Sequence, residues 1–199
     1  VDVGSGVLAN LFRYVNPFDL DAIVLTHLHA DHVADLYPMR LYLRYGRPDR
    51  PEPLPVHAPP GSCEMLESFR LWSEPGEMSE VFRFVDLPAP LEVGPMSFRF
   101  VRTRHLVPTY GVICRSGGRT LGLTSDTSWD EDLPALFPGC DVLLADSTYL
   151  GEQGIDRVHM CAAEAGRARL VHCAALGGAR TGAHAGAGRP WRAEPSSAR

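Results

Sequence analysis

The segment Ile23-Val24-Leu25-Thr26-His27-Leu28-His29-Ala30-Asp31-His32 decides how this chain is read. A short apolar run, the pattern of a buried strand, leads directly into three histidines and an aspartate. From Asp31 onward, Asp35, Leu36, Met39 and Leu43 fall at helical spacing, so a helix is expected over 31–45. The motif then lies in the turn from strand to helix. His27 and His29 stand two apart in extended backbone, so their imidazoles project to one side and can grip one cation. Asp31 and His32, past the turn, can address a neighbouring one. Two divalent cations about 3.5 to 4 Å apart generate a hydroxide nucleophile between them, so the segment reads as half of a two-metal hydrolytic site. A lone His-x-His would fit a satisfied core histidine equally well. Burying this many polar groups without partners is costly, and that favours the metal reading.

Four further stretches carry chemistry-bearing residues in order. Val1-Asp2-Val3-Gly4-Ser5-Gly6 reads as a strand with a glycine turn. His105 follows the strand-like Met96 to Val101, and Asp126 in Ser125-Asp126-Thr127 follows the apolar Leu121 to Leu123. His159 precedes a helix-like stretch from Cys161 to Ala168. Each is weak alone, because a Ser-Asp-Thr turn and a polar residue before a helix are common without function.

Taken together, these residues resemble the metallo-β-lactamase superfamily, whose signature His-x-His-x-Asp-His follows a buried strand. The resemblance covers roughly residues 1–170 and implies an α/β fold, a four-layer αββα sandwich. It implies two divalent metal ions, zinc in the first instance, with manganese or iron able to occupy the same geometry. His27, His29 and His105 would hold one, Asp31 and His32 the other, and Asp126 would bridge both. Asp2 would orient the metal loop from behind, and His159 resembles the histidine that assists the leaving group in the ribonuclease Z-like branch. Asp31 and His159 are thus the candidate catalytic residues. The implied activity is hydrolysis of a small phosphodiester such as a cyclic nucleotide. Ribonuclease Z carries a tRNA-gripping arm between its third histidine and bridging aspartate. His105 and Asp126 stand too close for one, which disfavours tRNA 3′-end cleavage. Lactam and thioester hydrolysis use the same ligands on carbonyls. An inactive or fragmentary metal-binding domain is the alternative from another class.

The pattern departs from the family at both ends. The family's last ligand is a histidine closing one more apolar strand, and no such strand is evident. His172 follows His159 too soon, and His184 lies in Arg180 to Gly186, which is no strand. These two are the candidate substitutes. The hydrolase domain is expected over 1–173. Residues 174–199 are rich in Ala, Gly and Arg, with Leu176 and Trp191 as the only large apolar side chains, so disorder is expected there. A shifted reading frame after Glu164 would also produce such a tail, since a chain with arginine but no lysine suggests a GC-rich gene. The chain opens at Val1 in an apparently internal strand, so the first strands of the fold are expected to be missing.

A net charge of -5 argues against a general nucleic-acid binder, which leaves a small phosphodiester as the expected partner and nucleic acid as the less favoured one. A homodimer is compatible with the sequence. No apolar run is long enough to cross a membrane. The five cysteines form no C-x-x-C pair and read as reduced thiols of a cytoplasmic protein. Arg40, Arg44 and Arg47 share a helix face, better explained as a solvated charged face than as a phosphate contact. Besides 31–45, helices are expected over 6–14, 62–73, 130–136 and 160–168. Strands are expected over 1–3, 22–26, 56–57, 81–86, 91–93, 96–103, 110–115, 119–124 and 141–145.

Overall fold

Alternation of apolar side chains sorts the strands into two sheets with three separate cores. In the computed structural model, which describes residues 1–46, 52–69, 75–150 and 158–174, β1 (Ile23–Val24), β2 (Leu54–Ala58) and β3 (Phe82–Asp86) form a parallel sheet in that order. The second sheet runs β4 (Leu91–Val93), β5 (Met96–Thr103), β6 (Thr109–Ser116), β7 (Arg119–Leu123) and β8 (Val142–Leu144). It is antiparallel except for β7 and β8, which run parallel. The helices are α1 (Val7–Leu11), α2 (Ala30–Val33), α3 (Leu36–Gly46), α4 (Ser62–Ser68), α5 (Glu77–Val81) and α6 (Ala162–Ala174).

Because successive strand residues face opposite ways, Ile23 and Leu25 join Leu36, Met39 and Leu43 in a core beneath the helices, while Val24 turns to the other face. There it meets Phe100, Tyr110 and Val112 from the second sheet. Ile113, one residue on from Val112, faces outward against Leu133, Phe137 and Met160. Helices, sheet, sheet and helix thus stack as the four-layer αββα sandwich that the resemblance implies. Each fully buried side chain of this kind contributes about 1.5 to 3 kcal/mol of transfer free energy.

Several elements differ from expectation, each for a local reason. The single helix over 31–45 is two, α2 and α3. Asp35 at the break gives its N–H to Val3 O (2.9 Å) and accepts from Leu8 N (2.8 Å), and Pro38 brings no N–H to the first turn of α3. Residues 1–3 are not a strand, because Asp2 has φ 55; instead Asp2 N bonds Val24 O and Val3 N bonds His32 O. The helix expected over 6–14 is only α1. The helix expected over 130–136 contracts to a 3₁₀ turn, Leu133–Leu136, with Pro134 near its start. On α3, Arg40 pairs with Glu77 and Arg44 with Glu80, fastening α5 to α3. The helix expected over 62–73 ends at Ser68, because Phe69 leaves helical geometry at ψ 66; residues 70–73, Arg47 and the tail beyond Ala174 lie outside the described residues. Among the described residues no helix is long and apolar enough to cross a membrane.

Candidate metal centre

The two sheets meet at the C-terminal ends of β1, β5, β7 and β8, and the chemistry-bearing residues gather at that seam. Beyond β1, Thr26 is fully buried; its N–H donates to Asp2 Oδ1 (2.7 Å) and its hydroxyl to Asp2 Oδ2 (2.9 Å). The loop that follows packs tightly on the N-terminal segment. A Cβ on Gly4 would stand 1.7 Å from the Asp31 carbonyl oxygen, so only glycine lets the chains approach this closely.

Single ligand atoms of His27, His29, His105 and Asp126 lie within 4.8 Å of one another, as do those of Asp31, His32 and Asp126. His29 Nδ1 is 3.1 Å from both His27 Nε2 and His105 Nε2. Asp126 Oδ2 sits between the groups, 3.7 Å from His27 Nε2 and 3.4 Å from His32 Nε2. Asp31 Oδ2 is 3.5 Å from His32 Nε2, on an exposed side chain at the mouth.

The outward-facing nitrogens fix the tautomers. His105 Nδ1 is 2.9 Å from Val158 O, which can only accept, and His32 Nδ1 is 2.8 Å from Asp2 Oδ2. The Thr26 hydroxyl hydrogen is committed to Asp2, so His27 Nδ1, 3.1 Å away, donates to Thr26 Oγ1. With three Nδ1 atoms acting as donors, the three Nε2 atoms converge on His29 and the two aspartates, each offering a lone pair wherever its ring is neutral. Converging lone pairs and carboxylates repel one another and are relieved by a cation. The donor set of nitrogen and oxygen atoms therefore fits divalent metal ions.

Burial, reinforced by His32, lowers the pKa of His27 to about 4, so its ring is neutral and ready to ligate. Bonds to Asp126 and Asp2 raise His32 to about 10, and His32 in turn holds the Asp126 carboxyl below its ordinary range. The proton on His32 stands where a cation would. Metal uptake at this half of the site is expected to release one proton at pH 7, its affinity falling about tenfold per unit of pH below about 10. Calorimetric titration with zinc in two buffers of different ionisation enthalpy measures this directly. Zero proton release at pH 7 would contradict it.

Asp146 is the residue that sequence reasoning missed. Its Oδ2 accepts from His159 Nδ1 (2.9 Å) and Thr127 N (3.0 Å), and its Oδ1 from Thr148 N (3.0 Å) and Thr148 Oγ1 (2.8 Å). Although Asp126, Asp146 and His159 also cluster, these four donors saturate Asp146, which makes it the acceptor that aims His159. Asp146 follows β8 much as Asp126 follows β7, but that the two strands are parallel neighbours is read from the fold and not from the sequence. His159 Nδ1 lies 3.9 Å from Asp126 Oδ2, so His159 stands at the edge of the histidine and aspartate cluster. His172 falls within helix α6 rather than at a strand end, and His184 is outside the described residues. A cavity of about 440 Å³ opens beside His105, lined also by Arg104, Thr127, Asp130, Leu133 and Leu136.

A sandwich of two sheets whose strand ends deliver histidines and aspartates to one seam defines a metallo-hydrolase. A model of the beta-lactamase superfamily domain matches residues 1–180, and the chain belongs to the metallo-β-lactamase superfamily. The probable metallo-hydrolase YhfI of Bacillus subtilis is 31% identical over 170 residues, covering 84% of this chain and 68% of that protein. The YhfI crystal structure matches with a TM-score of 0.69 at 29% identity, covering 84% of this chain and 66% of that one. Ribonuclease Z of Mycobacterium bovis is 32% identical over 162 residues, covering 72% of this chain and 58% of that protein. The chain thus spans about three-fifths to two-thirds of the length of these relatives.

Proposed function

We propose that the chain is a two-metal phosphodiesterase acting on a small phosphodiester such as a cyclic nucleotide. The observation that carries this reading is His159, held by Asp146 beside the cluster around Asp126. Hydrolysis of a phosphodiester with an alkoxide leaving group needs a proton at the departing oxygen, and a carboxylate-oriented imidazole is built to give one. In this reading His27, His29, His105 and Asp126 hold one cation, and Asp31, His32 and Asp126 the other. When bound, the cations supply ionised water at neutral pH and positive charge for phosphate oxygens. Zinc suits the donor set best. Asp2 and Thr26 keep the Nδ1 protons of His32 and His27 turned away from the cations. Asp31, exposed at the mouth, orients the attacking water, and His159 protonates the leaving oxygen from Nε2 while Asp146 holds Nδ1–H.

The chain between His105 and Asp126 supports a small substrate. The antiparallel pair β6 and β7, joined by a Gly117-Gly118 turn, fills most of it, which leaves no room for an arm that grips tRNA. The cavity beside His105 is of the size that takes one small molecule. Ribonuclease Z activity is the second reading, favoured by the Mycobacterium bovis relative.

The first test is metal content of the purified chain by plasma mass spectrometry, paired with turnover of bis-p-nitrophenyl phosphate, cyclic nucleotides and precursor tRNA. Two metals with turnover of the small diesters are expected; a metal-free, inactive chain overturns the reading, and preferential cleavage of precursor tRNA selects the second one. His159→Ala separates the proton donor from the rest. Loss of about 10²- to 10⁴-fold is expected on cyclic nucleotides, whose alkoxide needs a proton. Less than about tenfold is expected on bis-p-nitrophenyl phosphate, whose leaving group departs unaided. Equal losses on both substrates would remove His159 from that role.

A further inference from the structure

Among the described residues, Asp2 at φ 55 and Ser125 at φ 56 are the only non-glycine residues in the left-handed region. L-residues adopt that conformation at a cost and keep it where the surroundings impose it. Both strained residues end on one atom. The Ser125 hydroxyl donates to Thr26 Oγ1 at 2.7 Å, and Thr26 Oγ1 donates to Asp2 Oδ2 at 2.9 Å. Thr26 Oγ1 also accepts from His27 Nδ1 at 3.1 Å, and Asp2 Oδ2 from His32 Nδ1 at 2.8 Å. Thr26 is fully buried and Ser125 nearly so. A hydroxyl has one hydrogen to give and two lone pairs to offer, and in this arrangement Thr26 uses all three.

We infer, on the two-metal reading above, that Ser125 is a positioning residue: its hydroxyl clasps the loop carrying Asp126 to the loop carrying the histidines. Asp126 belongs to the five-stranded sheet, whereas His27, His29, Asp31 and His32 belong to the three-stranded one. The Ser125 to Thr26 bond joins residues 99 apart in sequence, directly before the shared carboxylate on one side and the first histidine on the other. It sets where Asp126 Oδ2 stands between His27 and His32, the position that decides whether one carboxylate reaches both cations. The same bond fills the second acceptor position of Thr26 Oγ1, which keeps the Thr26 hydrogen on Asp2 and the His27 Nδ1 proton pointing outward. Glycine would adopt the backbone conformation without steric strain but would lack the hydroxyl that makes the clasp.

The experiment compares the full chain with Ser125→Gly and Ser125→Ala. Glycine relieves the backbone and removes the hydroxyl; alanine removes the hydroxyl alone. Cobalt binding is followed by competition with a chromophoric chelator and by the visible absorption of bound cobalt, and the melting temperature of the metal-free proteins is recorded. Expected for Ser125→Gly is a metal-free melting temperature at or above that of the parent, at least tenfold weaker binding of the second cobalt, and altered cobalt absorption. Ser125→Ala, if it folds, shows the same cobalt changes with a lower melting temperature. Parental affinity and spectrum in Ser125→Gly would overturn the inference, because the backbone alone would then suffice. A parent chain that binds two cobalt ions alongside indifferent variants removes only the role of Ser125. A parent chain that binds none removes the two-metal reading and this inference with it.

Discussion

Asp126→Ala is expected to fold, to retain at most one metal per chain, and to lose about 10³-fold or more in turnover of bis-p-nitrophenyl phosphate. Its Oδ2 lies in reach of both His27 and His32, at 3.7 and 3.4 Å. Deleting it leaves His32 with Asp31 and the histidine group without a carboxylate. Transition-state charge stabilisation by such a centre is worth several kcal/mol, and about 4 kcal/mol corresponds to 10³ in rate. The side chain is part-exposed, so truncation opens no sealed cavity. Metal counting and steady-state kinetics on the variant test this; two tightly held metals in Asp126→Ala would refute the bridging role.

Gly4→Ala is expected to damage the centre without touching a ligand. The added carbon would meet the Asp31 carbonyl oxygen at 1.7 Å, and that obstacle is backbone, which no rotamer change can relieve. The loop must retreat by more than an ångström, carrying Asp31 and His32 with it and breaking the bond from Val3 N to His32 O. Overpacking of this kind costs about 1 to 3 kcal/mol, and displacement of Asp31 and His32 is expected to add loss of the cation proposed for them. Thermal melting with metal analysis checks it. An unchanged melting temperature together with full metal content would mean that the approach of the two chains is looser than described.

Most of the strand layout was legible because alternating apolar residues leave a strong period-two signal; β4 and β5 have the expected bounds, and β3 and β6 to β8 lie within about a residue of them. The cluster of His27, His29, Asp31 and His32 was legible because it is local. His105 and Asp126 could be paired with it only through resemblance, since nothing in single-sequence periodicity says that residues 76 positions apart will touch, as His29 and His105 do. Asp146 escaped notice for a different reason. An acid after a short strand is ordinary, and its meaning comes from β8 lying parallel to β7, a tertiary fact. The break between α2 and α3 was hidden because Asp35 satisfies helical spacing while spending its hydrogen bonds on Val3 and Leu8.

The seam between the sheets also bears on how the molecule is made. The groups gathered there run from Asp2 to His159, and only the stretch from His27 to His32 is contiguous. During synthesis that stretch emerges while His105, Asp126 and Asp146 are still unmade, and folding proceeds from the N-terminus as chain becomes available. The nascent polypeptide therefore carries an open, partial chelator long before it carries a closed one. On the two-metal reading proposed above, cation capture would begin as a loose, exchangeable event and become durable only once β7 and β8 dock, so that the order of translation would sort transient from resident metal.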